Sequence, residues 1–219
     1  MIDIARFIVN PIQENCYVVS DTTREAVIID NGAFYPEEVD AVIGYIEKNK
    51  LKPVCQLATH AHFDHIMGSG SIYDKFGLSL RFSPDDAKLY GDIVQQTEMF
   101  LGMRPPRQPA PPGLPLRHGD SVSFGTHSIS VIATPGHSPG GLCFYLEDEQ
   151  TLFSGDSLFH HSIGRTDLPD GSSRDLITSL QSRILVLPPQ VKVLPGHGEE
   201  TSIGEEQAHN PYLQPYPHD

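Results

Sequence analysis

Four side chains able to hold a metal fall within six residues, His60-Ala61-His62-Phe63-Asp64-His65, directly after the apolar run Val54–Ala58. Imidazoles and a carboxylate at this density read as a ligand set rather than a solvated loop. The cluster also restricts the backbone. A regular strand would send His60 and His62 to one face and His65 to the other, so the segment has to turn for all four to converge. Gly68 and Gly70 are consistent with that turn.

Three further residues share a setting, each in a glycine turn just after a β-type run: His137 in Thr134-Pro135-Gly136-His137-Ser138, Asp156 in Ser154-Gly155-Asp156-Ser157, and His197 in Pro195-Gly196-His197-Gly198. Singly, each is an ordinary turn residue. With the first cluster they make five His and two Asp, a set that suits two divalent ions sharing a carboxylate and a water-derived oxygen.

The rest of the chain supplies strands to carry these turns. β-type runs lie near Ile4–Val9, Cys16–Ser20 and Ala26–Asp30. A helix follows from Pro36, with Val39, Val42, Ile43 and Ile46 on one stripe and Lys48 and Lys50 at its end. Ser83-Pro84-Asp85-Asp86 is a helix start, with Asp86 three residues after the cap, and predicts a helix to about Gly102. Six prolines between Met103 and Asp120 exclude regular structure there, so the stretch 104–117 is either a linker across the surface or a loop lining a site. Strands are expected near Ser121–Phe124, Ile129–Ala133, Leu142–Leu146, Thr151–Phe153 and Val191–Leu194, with helices from Ser172 to Pro188 and around Ile203–His209. This order suggests two similar half-units, each a mixed sheet with helices on one side, packed sheet to sheet as a four-layer αββα sandwich.

The 219 residues carry a formal net charge of −13 and no Lys/Arg cluster, which argues against a nucleic-acid partner. No apolar stretch is long enough for a membrane span. Cys16, Cys55 and Cys143 are far apart and each lies in an apolar run, so they read as core thiols rather than a disulfide framework. The first ten residues lack a basic n-region and a small-residue cleavage site, so a reducing cytoplasm is the expected location.

Gly136-His137-Ser138-Pro139-Gly140 imitates the G-x-S-x-G turn of serine hydrolases, and Asp156 and His197 follow in the order of that class. That turn uses the N–H after the serine for the oxyanion and continues into a helix. Here the next residue is Pro139, which has no N–H, and Leu142–Leu146 reads as a strand. Ser138 is therefore not expected to be a nucleophile.

The motifs, in order along the chain, resemble the metallo-β-lactamase superfamily, with His60-x-His62-x-Asp64-His65 as the specific signature. Within it, Thr134 to Gly141, Gly155 to Phe159, Ser162 to Pro169 and Pro195 to Gly198 resemble the short bacterial glyoxalase II-like hydrolases. The resemblance implies one domain over residues 1–219, with His60, His62 and His137 on a first metal, Asp64, His65 and His197 on a second, and Asp156 bridging. It implies zinc, with iron or manganese as alternatives. The implied reaction is hydrolysis of a small-molecule thioester, glutathione-linked as in S-lactoylglutathione, by a metal-bridging hydroxide that Asp64 also orients. β-Lactamases of the superfamily usually carry a cysteine where Asp156 stands and are exported, and neither feature is seen. The C-terminal helical domain that binds glutathione in glyoxalase II is not expected, since only a short tail follows Tyr216. Arg165 is the first candidate for a substrate carboxylate, with Arg104 and Arg107 behind it, and an ion pair of Arg165 with Asp167 or Asp170 is the competing use. The persulfide dioxygenases of the same superfamily offer a second implied activity, with one iron on His60, His137 and Asp156. His118, His127, His160, His161, His209 and His218 are left as surface or supporting residues, with His160 and His161, four and five residues past Asp156, the first of them to consider for the cleft.

Overall fold

The computed structural model describes residues 2–214, so expectations attached to Tyr216 and His218 lie outside the described residues. The chain begins as an antiparallel meander of β1 (Ile2–Val9), β2 (Glu14–Asp21) and β3 (Glu25–Ile29). Helix α1 (Pro36–Lys48) then carries the chain back, and β4 (Lys52–Leu57) joins β3 in parallel. Two short helices, α2 (Phe63–Ile66) and α3 (Ser69–Phe76), precede β5 (Leu80–Arg81), parallel to β4.

After α4 (Ala87–Gly91) and α5 (Ile93–Leu101) the second half-unit repeats the plan. Its meander is β6 (Ser121–Phe124), β7 (His127–Ala133), β8 (Leu142–Leu146) and β9 (Thr151–Gly155). A small hairpin, β10 (Leu158–Phe159) and β11 (Ser162–Ile163), and helix α6 (Ser173–Ser179) lead to β12 (Lys192–Pro195), parallel to β9. Strand β13 (Thr201–Ser202) closes that edge before α7 (Ile203–His209). The expected duplication is visible as topology: a meander, a helix and a parallel return, twice.

Side-chain alternation sets the layers. In β2, Tyr17 and Val19 face the second sheet and meet Phe124, Phe144 and Phe153, while Cys16 and Val18 face α1 and meet Val42 and Ile46. The second sheet does the same, with Cys143, Tyr145 and Val193 turned to Leu176, Leu180 and Ile203 of its helices. Strand β8 and the middle of β2, Cys16–Val19, buried on both faces, therefore read as continuous apolar runs. This is the four-layer αββα sandwich expected from the element order. The three cysteines are free and buried, and no helix of the described residues is long and apolar enough to cross a membrane.

Two expectations are corrected. The helix begun at Ser83 is not continuous: a 3-10 turn over Pro84–Asp86 runs into α4, and the chain breaks at Asp92 before α5. Gly91 weakens the helix at that point, and the Leu89 carbonyl accepts the Asp92 N–H at 3.1 Å and the Gln96 side chain at 2.7 Å. Ser83 does cap, accepting the Asp85 N–H, but Asp86 turns inward instead of closing a capping box. The proline-rich stretch runs along β5, where Gly113 donates to Leu80 and Ala110 to Ser69, and passes from the first half-unit to the second. The short β5, β10, β11 and β13 and helices α2 and α3 were not foreseen.

Candidate metal centre

The two sheets end their strands at a common edge, and every glycine turn singled out in the sequence opens there. After β3, Asp30 adopts a left-handed φ of +51° and its carboxylate accepts the N–H and hydroxyl of Thr59, both at 2.7 Å. This stops β4 and starts the histidine segment. The required turn is then made by α2, which puts Asp64 and His65 in its first turn while His60 and His62 lie on the extended approach.

The later turns depend on their glycines. Gly136 holds φ +140° against the backbone of Leu176, where a Cβ would collide. A Cβ on Gly196 would strike the Asp156 carboxylate and the His65 ring. The His197 turn is cradled from the other sheet: Asn15 donates its backbone N–H to Gly196 and its side-chain amide to Pro195, and the Tyr17 hydroxyl donates to the same Pro195 carbonyl at 2.8 Å.

All seven expected residues converge. His60, His62 and His137 form one group, with His62 Nδ1 and His137 Nε2 2.9 Å apart. Asp64, His65 and His197 form another, with Asp64 Oδ2 3.1 Å from His197 Nε2 and 3.4 Å from His65 Nε2. The Asp156 carboxylate lies between them, 3.3 Å from His65 Nε2, 3.6 Å from His137 Nε2 and 3.7 Å from His197 Nε2.

Most of the nitrogens that face away from this point are held by other groups. His137 Nδ1 donates to the Arg165 carbonyl at 2.8 Å and His197 Nδ1 to the Gln13 carbonyl at 3.2 Å. A carbonyl only accepts, so each ring keeps its proton on Nδ1 and presents a lone pair from Nε2. His60 Nδ1 pairs with the Thr59 hydroxyl, and His65 Nδ1 lies 3.1 Å from Asp30 Oδ2. On the inner side, His60 Nε2, His65 Nε2 and Asp156 Oδ1 are buried with no hydrogen-bond partner. Buried polar atoms are nearly always paired, so orphaned donors aimed at one place fit bound cations.

Charge separates the two groups. Burial and the neighbouring imidazoles push the His60 pKa well down, and burial with His137 pushes that of His62 to about 4. Burial opposes protonation of His65 as well, but Asp64, Asp156 and Asp30 outweigh it and hold that pKa up. His197 is likewise raised, its burial outweighed by the hydrogen bond to Asp64 and the charge of Asp156. Burial would raise Asp64 and Asp156, yet His65 pulls both down, helped by His197, so the carboxylates stay ionised.

Several supporting residues were missed. Asp86 accepts from the Ala61 and Gly140 amides and from Ser138, which explains the serine of the false hydrolase motif. Glu14 is fully buried and accepts the Gly32 amide. Asp30 had a readable signal, since Asp30-Asn31-Gly32 after an apolar strand repeats the carboxylate-in-a-glycine-turn pattern used for Asp156.

The arginines are engaged. Arg165 forks onto Asp167 at 2.7 and 2.8 Å, Arg104 pairs with Glu98 and Arg107 with Asp74, all exposed. His160 and His161 do not turn to the cleft; His161 pairs with Glu205 of α7. A cleft of about 270 Å³ opens beside His62, walled by Leu89, Met99, Phe100 and Leu168, with Lys88 and Gln96 among its polar groups. None of its lining residues comes from 104–117.

Known proteins share this arrangement. The family model for the metallo-beta-lactamase superfamily matches residues 9–197. Among curated relatives, the probable metallo-hydrolase YqgX of Bacillus subtilis is 36% identical over 211 residues, covering 95% of this chain and 96% of its own. The hydroxyacylglutathione hydrolase GloC of Haemophilus influenzae is 31% identical over 206 residues, covering 94% and 95%. Among solved structures, the BLEG-1 B3 metallo-beta-lactamase superposes with a TM-score of 0.88 at 36% identity, covering 97% of this chain and all of its own. TTHA1623 in a di-iron-bound form gives 0.85 at 36% identity, covering 95% and 100%. ETHE1 from Myxococcus xanthus gives 0.74 at 28%, covering 95% and 83%. With the donor set, the strand-end geometry and these matches in agreement, the chain belongs to the metallo-beta-lactamase superfamily and is built as a metallo-hydrolase of that fold.

Proposed function

We propose that this protein is a two-metal hydrolase of thioesters, with S-lactoylglutathione as the reference substrate and zinc as the working metal. One observation carries the reading: both donor groups are complete and share Asp156. His60, His62 and His137 would hold one ion, Asp64, His65 and His197 the other. When bound, such ions supply a water whose pKa falls from about 15.7 to roughly 7 and polarise the carbonyl under attack. Asp64 is buried, ionised and fixed against His65 and His197, so it would orient the attacking water as well as ligate. A thiolate leaving group, with a pKa of about 8.5, needs no general acid.

The cleft beside His62 would take the rest of the substrate, its apolar wall against an acyl or thiol chain. Arg165 is our candidate for a substrate carboxylate. Its backbone carbonyl anchors His137 and its guanidinium is exposed, so binding would exchange Asp167 for the substrate. Three unpaired buried cysteines fit a reducing compartment, and we place the protein in the cytoplasm.

The likeness to GloC favours a glutathione thioester. The second reading is a persulfide dioxygenase, in which one iron would need only His60, His137 and Asp156. The intact second group weighs toward the hydrolase. The test is thiol release from thioesters, run beside oxygen consumption with a persulfide and hydrolysis of a β-lactam, the last because of the likeness to BLEG-1. Thioester turnover that Asp64→Ala abolishes is the expected result. Oxygen uptake without thiol release, or turnover that survives Asp64→Ala, would refute the assignment.

A further inference from the structure

A second group of donors lies on the surface where the β10–β11 hairpin meets α7. The hairpin turns through His160-His161, whose ring centroids are 4.0 Å apart. His161 holds φ +54°, a conformation histidine tolerates better than most residues. Its N–H donates at 3.0 Å to the buried Glu206, whose carboxylate also accepts from Thr201 and Asn210, so turn and helix are locked together from beneath. Above them, His161 Nε2 lies 2.8 Å from Glu205 Oε1, and His209 Nδ1 lies 3.0 Å from the same oxygen. Glu205 and His209 share one face of α7 at i,i+4 spacing. Donor atoms of His160, His161 and Glu205 all lie within 4.8 Å of one another.

We propose that His160, His161 and Glu205, with His209 as fourth donor, form a surface site for one divalent transition ion such as Zn²⁺ or Ni²⁺, separate from the centre at the strand ends. Three imidazoles and one carboxylate favour such ions over Mg²⁺ or Ca²⁺, which need oxygen ligands. The exposed His–Glu pairs now present hold the side chains only weakly, so these side chains are free to turn onto a cation. The hairpin starts two residues after Asp156, and the Phe159 ring lies 6.4 Å from the His197 ring. An ion here would therefore staple to α7 the segment that adjoins two ligands of the main centre.

Metal counting decides this without reference to any substrate. Wild-type protein and a His161→Ala/Glu205→Gln variant, both checked for folding by circular dichroism, are titrated calorimetrically with Zn²⁺ and, separately, Ni²⁺. The variant is expected to bind one equivalent fewer than wild type, and the wild-type hairpin to gain hydrogen-exchange protection on that last addition. Equal stoichiometry in the two proteins would overturn the proposal, whatever the main centre binds.

Discussion

Asp86 accepts the Ser138 hydroxyl at 2.9 Å and so joins the loop of the second half-unit that carries His137 to the loop of the first that carries His60 and His62. The same carboxylate takes the Ala61 amide at 3.0 Å and the Gly140 amide at 2.6 Å. It hydrogen-bonds no ligand side chain, yet the His60, His62 and His137 group depends on it for its spacing. Asp86→Ala leaves three buried donors unpaired, at about 1–3 kcal/mol each before relaxation. We expect a lower denaturant midpoint and weaker metal binding, and Asp86→Asn should recover part of both.

Acidification should remove the two metals in order. A protonated imidazole has no lone pair, so protons and metal compete for each ring. The His197 pKa is held above 6.5, so its proton competes early as pH falls, whereas that of His62, pushed to about 4, keeps its lone pair down to that region. Elemental analysis after dialysis at stepped pH should show the Asp64–His65–His197 ion lost first. Simultaneous loss, or the reverse order, would contradict the assignment.

Support behind the ligands should be measurable separately from the ligands. Asp30 meets His65 at Nδ1, across the ring from the Nε2 that faces Asp64 and Asp156, and accepts two groups of Thr59. Removing such a partner typically costs 10–100-fold in metal affinity or activity, and Asp30→Ala is expected in that range by competition with a chelating dye. Gly196→Ala should be more severe, because its new methyl group would overlap Asp156 and His65.

The cleft wall makes a kinetic prediction. Phe100 stacks on Phe63 at 5.5 Å between ring centroids and faces the cleft beside His62. If it binds the substrate's apolar part equally in ground and transition states, Phe100→Ala raises KM with little change in kcat. A fall in kcat alone would place Phe100 with the positioning of His62 instead.

Much of this was legible because the ligands sit where the chain must do something unusual. A histidine cluster at the end of an apolar strand, and single His or Asp residues beside turn glycines, carry their signal locally. The sandwich followed from element order, since two-faced burial writes β8 and the middle of β2, Cys16–Val19, as unbroken apolar runs. What failed was either too short or too distant. Two-residue strands such as β5 and β10 have no periodicity to read. Asp86 looked like a capping residue because its sequence neighbours make it one, and only the approach of Gly140 and Ser138 from the other half-unit redirects its carboxylate. His160 and His161, the leftover histidines nearest to Asp156 in sequence, sit on a hairpin turn that points them at α7.

The central claim is a pair of metals acting together on a thioester. The most direct test is thiol release from S-lactoylglutathione by metal-free protein titrated with Zn²⁺, with the His160–His161–Glu205 surface site removed so that every equivalent counted belongs to the main centre. Turnover that stays low through the first equivalent and rises to its plateau with the second is the predicted result. Full turnover at one equivalent, or none at two, would contradict it.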